Sequence, residues 1–157
     1  MKKKNIRVAF PALPNSENPV EEEWIKGLRN EGIVFTKDTV LVGHSLGCVA
    51  LMRLVESFDK NECAGKLIMV AGFGENLGIS ELENFFKTGF NWKKIKEKVR
   101  KIILVYSDND PFISVEVSKR LIKKLNAEGI LERGAGHINI GSGFMSYPRA
   151  LRLVLDE

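Results

Sequence analysis

Short apolar runs alternate along this chain with stretches whose apolar residues recur at helical spacing. Residues 6–10, 39–42, 66–70, 101–106 and 129–132 are rich in β-branched and aliphatic side chains and read as five short strands. Between them lie helical patterns. Asn18-Pro19-Val20-Glu21 offers an N-cap asparagine, a proline at the first helical position and a glutamate at the third, and predicts a helix to about Arg29. Residues 48–56 form a second helical stretch. Ser80-Glu81-Leu82-Glu83 opens a short helix by the same logic, and Asn91-Trp92 opens another. Val117, Leu121 and Leu125 mark a further helix, and a last one starts near Pro148 with Leu151, Val154 and Leu155 on one face. Strand–helix alternation of this kind predicts an α/β fold: a mostly parallel sheet of about five strands, flanked by helices on both faces. The 157 residues suffice for one sizeable core, and no repeat, low-complexity tract or linker interrupts them, so residues 1–157 read as one domain.

The second strand runs into Gly43-His44-Ser45-Leu46-Gly47 and then into a helix. Gly-x-Ser-x-Gly in that context predicts a nucleophile elbow, with the Ser45 hydroxyl exposed at the strand's C-terminal end. The backbone N–H of Leu46 opens the following helix, where unpaired N–H groups carry partial positive charge, and is a candidate oxyanion donor. Read more plainly, the same residues are a glycine-bracketed turn with an N-cap serine. The rest of the chain weighs against that.

A serine nucleophile needs a base, and the base needs an orienting acid. The chain has two histidines. His44 belongs to the elbow, and its side chain is expected to point elsewhere, as a structural or pocket-lining group. His137, in a glycine-rich loop after the last strand, is then the candidate base. Between serine and histidine, the strand at 101–106 ends in Ser107-Asp108-Asn109-Asp110-Pro111. Two carboxylates thus sit at a strand's C-terminal edge, where ligands bind in open α/β sheets. Asp110 is the first choice for the acid and Asp108 the second. Phe73, after the strand at 66–70, and Phe112, after the acid loop, are candidate pocket-lining residues. Phe85, Phe86, Phe90 and Trp92 read first as core and second as a small lid.

Together these segments resemble the small serine hydrolases of the retinoblastoma-binding hydrolase and YdeN type, within the α/β-hydrolase superfamily. The resemblance covers nearly the whole chain. Leu13-Pro14-Asn15, Asn18-Pro19 and Glu23-Trp24 are similar to the family's early segment; residues 40–48 match its nucleophile strand and elbow. Ser107 to Phe112 match the acid loop, which implies Asp110 as the acid. Gly136-His137-Ile138-Asn139, Ser142-Gly143-Phe144 and Pro148 match the histidine loop. The resemblance also implies a difference. The family opens with a further strand, a loop beginning His-Gly, and a helix, roughly thirty residues that make about one βα unit. Without that unit, the second oxyanion N–H that its loop supplies is missing and activity is impaired. The sheet also lacks a strand next to the one bearing Ser45. Flanking strands closing up, residues 6–10 moving inward, a partner chain, self-association, or a natural start further upstream would each answer that gap.

Composition changes little. Hydrophobic residues make up 44% and charged residues 28%, as in ordinary globular domains, and the net charge is +4. Lysines cluster at 2–4, 93–101 and 119–124, the last two on helical faces with no aromatic interleaving, so no nucleic-acid partner is expected. Two cysteines, Cys48 and Cys63, make no disulfide framework, and no metal-ligand cluster accompanies them. Neither cofactor nor metal is expected. The apolar run after the N-terminal lysines is broken by Arg7 and Pro11, too short for a signal peptide, and nothing approaches a membrane span. A cytoplasmic location and no membrane partner follow as expectations. The resulting reading is a serine hydrolase, esterase-like, acting on a small ester, thioester or amide. The competing reading is a catalytically weak or inactive protein on this fold that acts as a binding module.

Overall fold

The computed structural model describes residues 6–156; the lysines at 2–4 lie outside the described residues. Four strands, β1 (Val40–His44), β2 (Ala64–Val70), β3 (Val99–Ser107) and β4 (Glu128–Glu132), form one parallel sheet in the order β1-β2-β3-β4. Five α-helices accompany them: α1 (Glu21–Asn30), α2 (Leu46–Glu56), α3 (Trp92–Lys98), α4 (Val115–Leu125) and α5 (Pro148–Leu155). Four strands rather than five are found among the described residues. The run at 6–10 forms no ladder, and Val8 and Phe10 are 81% and 96% exposed. β-propensity alone does not make a strand; the run needs a neighbour to satisfy its backbone groups, and none of the four strands serves. Among the described residues β1 therefore pairs on one side only and stands at the sheet edge.

Side-chain alternation splits the sheet into two faces. Leu41, Leu67, Met69, Ile102 and Leu104 point into the main core, shared with Trp24 of α1, Val49 and Met52 of α2, Ile95 of α3 and Leu121 of α4. Val70 and Val105 face the other way, onto Ala135, Ile138, Phe144, Tyr147 and Leu153. Helices thus cover both faces, α1–α4 on one and α5 on the other. The α5 contact differs from the helical spacing read above: Leu153 packs on the sheet while Leu151 is 59% exposed. Lys66 of β2 donates from Nζ to the Leu153 and Val154 carbonyls and pairs with Asp156, capping the C-terminus of α5 with positive charge.

Two further features are tertiary. The helix predicted from Asn18 starts at Glu21 instead, and no side chain nearby in sequence caps it. Asn84 caps it from a distance: its Oδ1 accepts the Glu21 N–H at 2.7 Å, and its Nδ2 donates to the Pro19 carbonyl at 2.7 Å. Asn84 lies in the 3-10 helix Ser80–Phe86. The segment after that helix is held by Arg53 of α2. Its buried guanidinium donates to the Phe85 and Thr88 carbonyls, pairs with Glu21 and Glu56, and lies 3.9 Å from the Phe90 ring centroid. Arg53→Ala would strip the carboxylates and carbonyls of their partner in a dry site. It is expected to destabilise the fold by about 3–5 kcal/mol, read by urea unfolding, and Arg53→Lys should recover only part of this. A loss below about 1 kcal/mol would mean that water replaces the guanidinium without cost.

Candidate active site

The site is built at the C-terminal edge of the sheet by the loops that follow all four strands. Ser45 stands between β1 and α2 with φ +51°, a left-handed conformation that costs a non-glycine residue free energy. Its N–H continues the ladder to the Val70 carbonyl at 2.9 Å, and its carbonyl accepts the Cys48 N–H at 2.9 Å. The turn is tight enough that a Cβ at Gly43 would lie 2.9 Å from Cys48 N and from the Gly47 carbonyl. Gly43 is therefore sterically required. Gly47 has open space, so its need is not steric. The N–H of Leu46, the first residue of α2 and the one after Ser45, has no acceptor within the helix by α-helical geometry.

The loop after β3 brings Asp110 to His137. Asp110 Oδ2 lies 2.8 Å from His137 Nδ1, and Oδ1 accepts the Phe112 and Ile113 N–H groups at 2.9 and 3.1 Å. The carboxylate is 2% exposed. On the other side of the ring, His137 Nε2 lies 3.0 Å from Ser45 Oγ. Ser45, His137 and Asp110 thus form one hydrogen-bonded line. Asp108 is placed elsewhere: its Oδ1 accepts the Gly134 N–H at 2.7 Å, and its other oxygen lies 3.6 Å from Arg133.

Four side chains with no role assigned from sequence hold the histidine loop. Ser107 Oγ accepts the Ala135 N–H at 3.1 Å, and Asn109 Oδ1 accepts the Gly136 N–H at 2.7 Å. Ser142 Oγ accepts the His137 N–H at 3.0 Å and in turn donates to Asn139 Oδ1. Gly136, at φ +55°, must be glycine, since a Cβ there would lie 2.6 Å from Ser142 Oγ. These residues sit inside the motifs around Asp110 and His137. The usable signal was a cluster of short polar side chains just past two strand ends.

Of the candidate pocket residues, Phe73 and Phe112 line a cleft beside Ser45, and His44 does not. Alternation along β1 places His44 on the same face as Val42, away from Leu41 and the main core. Its Nε2–H donates to the His137 carbonyl at 2.9 Å, and the two rings meet edge to face at 4.9 Å. Loss of solvent around the ring lowers the His44 pKa below 6.5, so the folded protein favours the neutral form. Folding stability from this site is full above pH 6.5 and is lost as pH falls through the lowered value. His44→Ala is expected to slow reaction at Ser45 by about tenfold or less, the worth of one neutral hydrogen bond, with His44→Gln restoring part of it. Rates for the two variants against an active-site probe check this.

Cys48, one turn into α2, is fully buried and donates from its thiol to the Val70 carbonyl at 3.5 Å. Burial pushes its pKa up to about 12, so it stays a neutral thiol beneath the elbow. Native protein should therefore consume one equivalent of alkylating reagent, at half-buried Cys63, and unfolded protein two. Of the aromatics between β2 and β3, Phe85 and Phe90 are core residues, so the lid reading fails for them. No helix among the described residues is long and apolar enough to cross a membrane.

A family model described as serine hydrolase matches residues 4–156. The chain is 30% identical over 137 residues to the YdeN protein of Bacillus subtilis strain 168, an alignment that covers 87% of this chain and 72% of that one. It is 26% identical over 127 residues to the serine hydrolase RBBP9 of Rattus norvegicus, covering 80% of this chain and 66% of that one. The crystal structure of the ydeN gene product superimposes with a TM-score of 0.85 at 28% identity, covering 92% of this chain and 80% of that one. A meta-cleavage product hydrolase from Pseudomonas fluorescens, at 13% identity and a TM-score of 0.62, shares the fold.

Proposed function

Because this chain belongs to the serine hydrolase family and has the α/β-hydrolase fold, we propose that it hydrolyses a small ester, thioester or amide through Ser45, His137 and Asp110. The observation that carries the proposal is the continuous line from Asp110 Oδ2 through both ring nitrogens of His137 to Ser45 Oγ. In this mechanism Ser45 Oγ attacks the acyl carbon while His137 Nε2 takes its proton. Asp110 keeps the Nδ1–H tautomer and stabilises the imidazolium. The Leu46 N–H donates to the developing oxyanion. Collapse of the tetrahedral adduct sends the proton from His137 to the leaving group, and water then repeats the sequence in reverse to free the acid.

With one oxyanion donor assigned, turnover of simple esters by this chain is expected to be about a hundredfold or more below that of a site with two. The edge position of β1 favours the competing reading, a binding protein on the same fold. Reaction with a fluorophosphonate separates them. One covalent equivalent mapped to Ser45 by peptide mass spectrometry is the expected result, and no adduct in a folded sample would favour the binding reading.

A further inference from the structure

The cleft beside Ser45 has a volume of about 190 Å³. Its walls are Phe73, Leu77, Ile79, Leu82, Phe112 and Ile113, and among the described residues the polar side chains in its lining are Ser45 and His137. We infer that this cleft is an acyl pocket for an uncharged aliphatic chain of about four to six carbons. The inference rests on the nucleophilic role proposed above for Ser45.

Charge decides the class. Apart from His137, no acidic or basic residue among the described ones lines the cleft, and the nearby Asp110 carboxylate is buried and already engaged by His137 and two backbone N–H groups. A carboxylate or ammonium on the acyl chain would lose its water there and find no partner. Size sets the length. A dry apolar cavity of about 150 Å³ takes a benzene ring, so a cleft of about 190 Å³ takes about six carbons.

The walls are held in place rather than improvised. Phe73 and Ile113 are core residues, 1% and 2% exposed. Leu77 and Ile79 come from the segment that leads into the 3-10 helix Ser80–Phe86 and Leu82 from the helix itself, which Asn84 ties to α1 and Arg53 ties to α2. Phe112 packs edge to face on His137 at 5.1 Å.

The order of bond changes makes this the acyl side. In the first half-reaction a bond forms between Ser45 Oγ and the acyl carbon. The bond from that carbon to the alcohol oxygen breaks, and the alcohol leaves with the proton from His137. The acyl group remains on Ser45 until water, giving its proton to His137, adds to the same carbon; the bond to Ser45 Oγ then breaks as Oγ takes that proton from His137. A pocket with Ser45 in its own lining holds the group that persists through both steps.

The test is a series of p-nitrophenyl esters from acetate to decanoate, with a parallel series of acetates of alcohols from ethanol to hexanol. kcat/KM should rise about three- to fourfold per acyl methylene up to hexanoate, then level off by decanoate, and should change little along the alcohol series. Leu82→Ala should move the break to longer chains. Ile79→Asp, at a partly exposed wall position, should cost hexanoate at least tenfold more than acetate. A flat acyl series, or a rise along the alcohols instead, while fluorophosphonate still labels Ser45, would overturn the acyl pocket and leave the nucleophile standing. Absence of both labelling and turnover in folded protein would overturn the nucleophile and the pocket with it.

Discussion

Replacement of Ser45 by alanine is expected to abolish fluorophosphonate labelling and to lower ester turnover by about a millionfold, to whatever the remaining groups supply. The hydroxyl is the atom that would bond to the acyl carbon, and it is the group that meets Nε2 of His137. His137→Ala should cost nearly as much, because serine and base act as one unit and their losses do not add. The thermal midpoint of Ser45→Ala should stay within the small range of neutral substitutions. Alanine suffers the same strain as serine at φ +51°, and among the described residues the Ser45 hydroxyl bonds to His137 alone. Intact-mass measurement after probe treatment, alongside a melting curve, reads both quantities. A surviving adduct at another residue would remove Ser45 from its proposed role. A large drop in midpoint would show that the hydroxyl carries structure as well.

Asp110→Asn is expected to lower kcat by about ten-thousandfold while leaving the fold nearly intact. The reason lies in which atom of the side chain does what. Asparagine keeps an oxygen that can accept the Phe112 and Ile113 N–H groups, so the loop is held. The group facing His137 Nδ1 becomes an NH₂ donor, so Nδ1 must accept and the ring proton moves to Nε2. His137 then meets Ser45 with a donor where a base is needed. Asp108→Asn provides the contrast. Its oxygen still accepts the Gly134 N–H, only the exposed contact with Arg133 weakens, and kcat should change by less than about threefold. Single-turnover kinetics of the two variants measure the ratio. Equal losses would mean that the two carboxylates share the orientation of the histidine.

Much of the fold was legible in local pattern because local physics produces it. A run such as Ile102-Ile103-Leu104-Val105 suits a strand buried on both faces, and β3 is such a strand. Asn91 caps α3 with its own side chain, as its place before Trp92 predicts, because an N-cap acts within four residues. The elbow is legible for the same reason: strand, strained serine and helix are consecutive, and the clash that demands Gly43 arises within five residues of it.

What the tertiary structure alone decided involves partners far apart in sequence. The run at 6–10 has strand composition but finds no partner strand among the described residues, while Asn84 caps α1 across 63 positions. Arg53 carries no sequence signal of burial; it becomes a core residue because Glu21, Glu56 and the carbonyls of a distant segment converge on it. Leu153 rather than Leu151 packs with Val70, Val105, Ala135 and Ile138, and Lys66 holds the end of that helix. Asp108 and Asp110 have the same chemistry and adjacent places on one loop. Which of them meets His137 depends on how that loop lies against residues 134–137, where Ser107, Asp108 and Asn109 bind three successive backbone N–H groups. The aliphatic wall of the cleft was hidden for the same reason. Leu77, Ile79 and Leu82 show no periodicity of their own, and only their anchoring through Asn84 and Arg53 brings them to Ser45. Sequence determined the chemistry available at each strand end; the packing of loops onto one another decided which of it meets.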